Sequence, residues 1–144
     1  MAITRELDPS LFKDVIASRG IKYHYFFSPA EASRPTLLLC HGFPSTSREW
    51  RHVIPYLQTK GYGVLAPDML GYGGTDKPTD PAAYVSSLVT KDIVDLLDAE
   101  KLDKVVAIGF DWYVSACRVL LVIERLIHGY QGQQGRFSTC ELVP

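Results

Sequence analysis

Cysteine is scarce in this 144-residue chain. The three present, Cys40, Cys117 and Cys140, are an odd and widely spaced set without a CxxC pair. That excludes a disulfide framework and a cysteine zinc site, and it suits a reducing compartment. A surplus of positive charge is also missing: 15 Lys and Arg stand against 16 Asp and Glu, a net charge of −1. Proteins that neutralise phosphates or coat anionic membranes carry a basic excess, so nucleic acid and membrane surfaces are not expected partners. No long apolar run occurs. Val114 to Ile127 is the most apolar later segment, but Arg118, Glu124 and Arg125 interrupt it, and it is too short to span a bilayer. Met1 to Asp14 is polar and lacks the apolar stretch of a signal peptide. A soluble, cytoplasmic chain is the expectation. Internal repeats are absent as well.

What is present is an ordinary globular balance of 47% hydrophobic and 22% charged residues, enough for one domain. Lys13 to Ser18 and Ile21 to Phe27 read as two strands around the tight turn Arg19-Gly20, the second half exposed. Thr36 to Cys40, Gly63 to Pro67 and Lys104 to Phe110 are short, continuous apolar runs, the pattern of strands covered on both faces. Between them, Ser45 to Lys60 and Ala82 to Glu100 carry apolar residues at helical spacing, and Tyr113 to Ile127 reads as a third helix. Val119 to Ile123 alone also suits a strand. Gln131 to Pro144 has no period and reads as a loose tail after a domain over residues 1–130. Strands alternating with helices predict an α/β fold: a mostly parallel sheet of about five strands with flanking helices.

In such sheets function sits past the carboxyl ends of the strands. Two of those ends are unusual. His41-Gly42-Phe43-Pro44 follows a buried strand, and such a turn can aim a backbone N–H into a pocket. Gly109-Phe110-Asp111-Trp112-Tyr113 follows the last strand and is similar to the sharp strand-to-helix bend that holds a nucleophile. Its central residue is Asp111. A carboxylate can attack an electrophilic carbon and split one hard displacement into two easier steps. Asp at a helix start is also a common N-cap, so this position alone does not choose between the two roles. The glycines of Asp68-Met69-Leu70-Gly71-Tyr72-Gly73-Gly74-Thr75-Asp76-Lys77-Pro78 are not a dinucleotide fingerprint, because Asp76 stands where the third glycine is needed.

Taken together, strand–HGFP, the DMLGYGGTDKP loop and strand–Gly-Phe-Asp-Trp resemble the epoxide hydrolases of the α/β-hydrolase superfamily, over Val15 to Trp112. The resemblance implies the N-terminal half of an α/β-hydrolase fold and conversion of a small apolar epoxide to a vicinal diol. Asp111 would be the nucleophile, forming an alkyl-enzyme ester. The backbone N–H groups of Phe43 and Trp112 would form the oxyanion hole, and His41, Gly42 and Pro44 would shape it. No cofactor and no metal is implied. Serine esterases would need Ser at position 111. Haloalkane dehalogenases place a polar amide residue where Phe43 stands, and fluoroacetate dehalogenases carry Arg where Trp112 stands.

The chain departs from the family pattern at Phe110, where members carry His, and at Tyr113, where they carry Gly. A bulky residue at the bend is expected to crowd it and displace the Asp111 carboxylate. No residue after Trp112 matches the lid tyrosines that protonate the epoxide oxygen or the general-base His, and His128 reads as a surface residue. Turnover by this chain alone is therefore expected to be very low or absent, with Asp111 alkylated once at best. Two other readings stand beside it: a non-catalytic, truncated fragment that associates with other chains through an exposed edge strand at Lys104 to Phe110, and a haloalkane or fluoroacetate dehalogenase relative.

Overall fold

The computed structural model describes residues 6–109 and 121–124. Phe110 to Tyr113, His128 and the tail from Gln131 lie outside them. Six strands run along the chain: β1 Phe12–Ile16, β2 Lys22–Ser28, β3 Thr36–Cys40, β4 Gly63–Pro67, β5 Lys104–Gly109 and β6 Leu121–Glu124. They form one sheet in the order β1-β2-β4-β3-β5-β6. β4, β3 and β5 are parallel, as their separation by helical connections requires. The pairs β1–β2, β2–β4 and β5–β6 are antiparallel, so the sheet is mixed.

Alternation along each strand sends side chains to two cores. Tyr23, Tyr25, Leu38, Leu65, Val105 and Ala107 meet Val89, Ile93, Leu96 and Leu97 of α2 (Ser86–Ala99) on one face. Phe26, Leu37, Leu39, Val64 and Ala66 meet Ile54 of α1 (Ile54–Thr59), with Trp50 and Leu57 packed against them, on the other. β2 is thus buried on both faces at Tyr23, Tyr25 and Phe26 rather than half exposed, because it lies inside the sheet between β1 and β4.

Both expected helices are interrupted at their starts. Ser47–His52 is a 3-10 turn, and α1 restarts at Ile54 with Pro55 in its first turn, where the missing N–H of proline costs no hydrogen bond. Pro81–Tyr84 is likewise a 3-10 turn, separated from α2 by extended Val85. The third helix is corrected over residues 121–124, which are strand. β6 pairs antiparallel with the first part of β5, from Lys104 opposite Glu124 to Ala107 opposite Leu121. The edge of β5 expected to be open is covered there, because an unpaired row of backbone groups gains more from a ladder than four isolated residues gain from a helix.

Polar bonds hold α2 onto the β1–β2 hairpin. Arg19 binds the fully buried Asp92 through two hydrogen bonds of 2.7 and 2.6 Å, and the Tyr23 hydroxyl donates to the same carboxylate at 2.9 Å. That pairing holds the Arg19 guanidinium above its ordinary pKa. Ser18 N–H donates to Asp95, and Tyr25 and Lys13 both reach Glu100. Removing one member of a buried pair leaves the other without compensation. Asp92→Ala is therefore expected to lower unfolding stability by about 3 kcal/mol in urea titration; an unchanged midpoint would show that the pair contributes nothing.

Candidate active site

The site is built where three parallel strands end. β3 and β5 are in register to their last residues, with Cys40 beside Gly109, and β4 runs parallel on the other side of β3 with Leu65 beside Leu38. Adjacent strands lie about 4.8 Å apart. His41 therefore follows β3 directly between the ends of β4 and β5, and β5 stops two residues short of Asp111 in sequence. Asp111 and Trp112 themselves lie outside the described residues.

His41 is fully buried and bonded through both ring nitrogens. Met69 N–H donates to Nε2 at 2.9 Å, and Nδ1 lies 2.9 Å from the Gly42 carbonyl oxygen. Nε2 thus accepts and Nδ1–H donates, which assigns the neutral tautomer. Burial pushes its pKa below the ordinary histidine value, against the opposing pull of the Gly42 carbonyl and of the Asp68 and Glu49 charges. A neutral imidazole bonded on both sides orients the turn and has no lone pair left to take a proton. The Phe43–Pro44 peptide is cis. The Phe43 side chain is 61% exposed, and the Tyr72 ring meets both His41 and Phe43 edge to face, at 5.5 and 6.4 Å.

Asp68, the residue after β4, organises this region, although by motif alone it is only the start of a loop. It is 4% exposed. Oδ1 accepts from Ser47 N–H at 2.7 Å and Oδ2 from Gly74 N–H at 2.9 Å, which joins the segment after the HGFP turn to the glycine-rich loop. The Asp68 carbonyl accepts from the Thr75 hydroxyl, whose oxygen accepts from His24 N–H. Gly73 adopts a φ of +51°, and a Cβ there would collide with Asp68 Oδ2. A Cβ at Gly74 would lie 2.7 Å from the His24 ring. Those two glycines are needed for close approach, and the signal in the sequence was an Asp at a strand end followed by G-x-G-G.

The structure thus brings together His41, Gly42, Phe43 and Pro44 with Asp68 and Tyr72. The His24 backbone borders this loop, but its ring is engaged with β1: Nδ1 lies 2.6 Å from Asp14 and the ring stacks on Phe12. Among the described residues no group of three His, Cys, Asp or Glu is placed to hold a metal ion, and no helix is long and apolar enough to cross a membrane.

The family model for the alpha/beta hydrolase fold matches residues 35–112, more than half of the chain. The chain belongs to that family. It is 40% identical over 97 residues to epoxide hydrolase 3 of Siraitia grosvenorii, a match that covers 67% of this chain and 30% of the relative. Epoxide hydrolase A of Mycobacterium tuberculosis is 45% identical over 82 residues, covering 57% of this chain and 26% of that one. The crystal structure of epoxide hydrolase A from Mycobacterium thermoresistibile matches with a TM-score of 0.64 at 38% identity, covering 70% of this chain and 31% of the other. The chain therefore spans about 30% of the length of the first of these relatives.

The buried neutral His41 makes this α/β-hydrolase-fold chain sensitive to acid. Unfolded, the imidazole takes up a proton as pH falls through about 6.5; folded, it resists until lower pH. The unfolded state then binds more protons, so stability is full above 6.5 and declines below it. His41→Gln keeps a donor and an acceptor but does not titrate. Urea midpoints measured between pH 7.5 and 5 are expected to fall more steeply for the parent than for this variant; parallel profiles would refute the assignment.

Proposed function

We propose that this chain carries the nucleophile-bearing part of an epoxide hydrolase site and that Asp111 opens the epoxide ring. The observation that supports the reading most is the register of Cys40 with Gly109, which ends β3 and β5 side by side just before the HGFP turn and the Phe-Asp-Trp motif. The likeness to proteins named epoxide hydrolases, at 40% identity, supports the substrate class.

In the proposed reaction an Asp111 carboxylate oxygen attacks one ring carbon. The carbon–oxygen bond of the ring breaks, its electron pair stays on the ring oxygen, and that oxygen takes up a proton from solvent water. An alkyl ester on Asp111 results. Water then adds to the ester carbonyl and gives up a proton, and the oxyanion so formed accepts hydrogen bonds from the backbone N–H groups of Phe43 and Trp112. Collapse releases the vicinal diol and restores the carboxylate. His41, Gly42 and Pro44 hold the turn that presents Phe43, and the exposed Phe43 ring beside Tyr72 suits a small apolar substrate.

The second step needs a base to activate water. His41 has both nitrogens bonded and His24 is turned toward Asp14. Neither is placed to take that proton, so the ester is expected to accumulate. Intact mass after incubation with styrene oxide is expected to show one adduct per chain on the parent and none on Asp111→Asn. No adduct on the parent, or an equal one on the variant, overturns the reading and leaves a non-catalytic chain.

A further inference from the structure

Asp68 takes no part in the steps above, yet it is a buried carboxylate at the centre of the region that presents Phe43. Among the described residues no Lys or Arg forms an ion pair with it. Its negative charge is met by backbone donors instead: Ser47 N–H on one oxygen and Gly74 N–H on the other. Amide bonds to an ionised acceptor are among the stronger hydrogen bonds in proteins. Each serves a different segment. Ser47 opens the 3-10 turn three residues after Pro44, and Gly74 lies in the loop that sets Tyr72 against His41 and Phe43. The next residue, Met69, donates its N–H to His41 Nε2. The end of β4 therefore holds the HGFP turn at its start, at His41, and holds the segment that follows it at Ser47, while the remaining oxygen holds the opposing loop.

We propose that Asp68 is the positioning residue of this site: by bridging Ser47 and Gly74 it fixes the turn His41–Pro44 against the glycine-rich loop and so sets the direction of the Phe43 amide. Calling that amide an oxyanion donor rests on the epoxide hydrolase reading; the bridging role does not.

A carboxylate suits this place and a carboxamide does not. Two N–H groups converge on two oxygens, and the NH2 of an asparagine would face one of them donor to donor. Asp68→Asn thus breaks one bond of the bridge with almost no change in volume. Ser47→Pro deletes the Ser47 donor alone. Proline is accepted at the first helical position, and Thr46, with φ −143° and ψ 177°, already has the extended backbone required before proline. Asp92→Asn, at a buried carboxylate that bonds Arg19 and Tyr23 and neither Ser47 nor Gly74, serves as the matched control.

The test is amide hydrogen exchange on the full chain, read by mass spectrometry, with the Phe43 amide resonance followed by NMR. Asp68→Asn is expected to speed exchange about tenfold over residues 42–47 and 71–75, to loosen the Lys22 and His24 amides that bond this loop, and to leave residues 25–28 and 63–67 unchanged. The Phe43 resonance should move while that of Leu65 stays. Ser47→Pro should loosen 42–46 and shift Phe43 with less effect on 71–75, and Asp92→Asn should loosen the hairpin and not the turn. Uniform acceleration over the whole chain by Asp68→Asn would overturn the proposal, since the carboxylate would then support stability in general. An unmoved Phe43 resonance would overturn it too. These readings are taken without an epoxide, so their failure is distinct from failure of the hydrolase reading.

Discussion

A single buried carboxylate governs the working end of this sheet. Asp68 has given up water for two backbone amides, and a charge so placed is tolerated only while both donors stay in position. Everything near it follows from that demand. Gly73 must lack a side chain to make room for Oδ2, Gly74 must come close to His24, and the loop between Asp68 and Asp76 must double back onto β2. It does so through bonds that extend the sheet's own pairing: Asp68 N–H to the His24 carbonyl, His24 N–H to the Thr75 hydroxyl, and Asp76 N–H to the Lys22 carbonyl. The strand ends are thereby tied to one another rather than left to fray.

His41 belongs to the same arrangement. Its ring accepts from the Met69 N–H and donates its own Nδ1–H to the Gly42 carbonyl, so a titratable side chain works as a neutral connector between β3 and β4. Burial keeps it neutral, and neutrality is what permits Nε2 to accept. The choice of histidine at a strand end is thus explained by its ability to donate and accept within one rigid ring.

Away from the site, α2 is fastened to the β1–β2 hairpin by carboxylates. Asp92, Asp95 and Glu100 each receive bonds from the hairpin, and the largest burial falls on Asp92 between Arg19 and Tyr23. These contacts set the slide of the helix along the sheet, which apolar packing alone leaves loosely determined. The hairpin is the outermost part of that end of the sheet, and its attachment to α2 gives β1 a second anchor besides β2.

Much of this was legible in the residues themselves. Apolar runs of five or six residues announced β3, β4 and β5, and Arg19-Gly20 announced the hairpin, because strand alternation and turn geometry are properties of a few neighbouring residues. The HGFP turn was recognised as the point of interest for the same reason. What the residues did not disclose were partners distant along the chain. Asp68 meets Ser47 across 21 positions and Asp92 meets Arg19 across 73, and no local pattern marks which amide or guanidinium a carboxylate will find. Tyr113 to Ile127 reads as helix, with Val119 to Ile123 also suited to a strand; pairing with the edge of β5 makes residues 121–124 strand. Local sequence determined strands β1 to β5, the hairpin turn and the bodies of α1 and α2, since those preferences act over one or two turns of backbone. Tertiary structure alone decided which buried charges are satisfied and by whom, since that depends on distances set only when the whole sheet has closed.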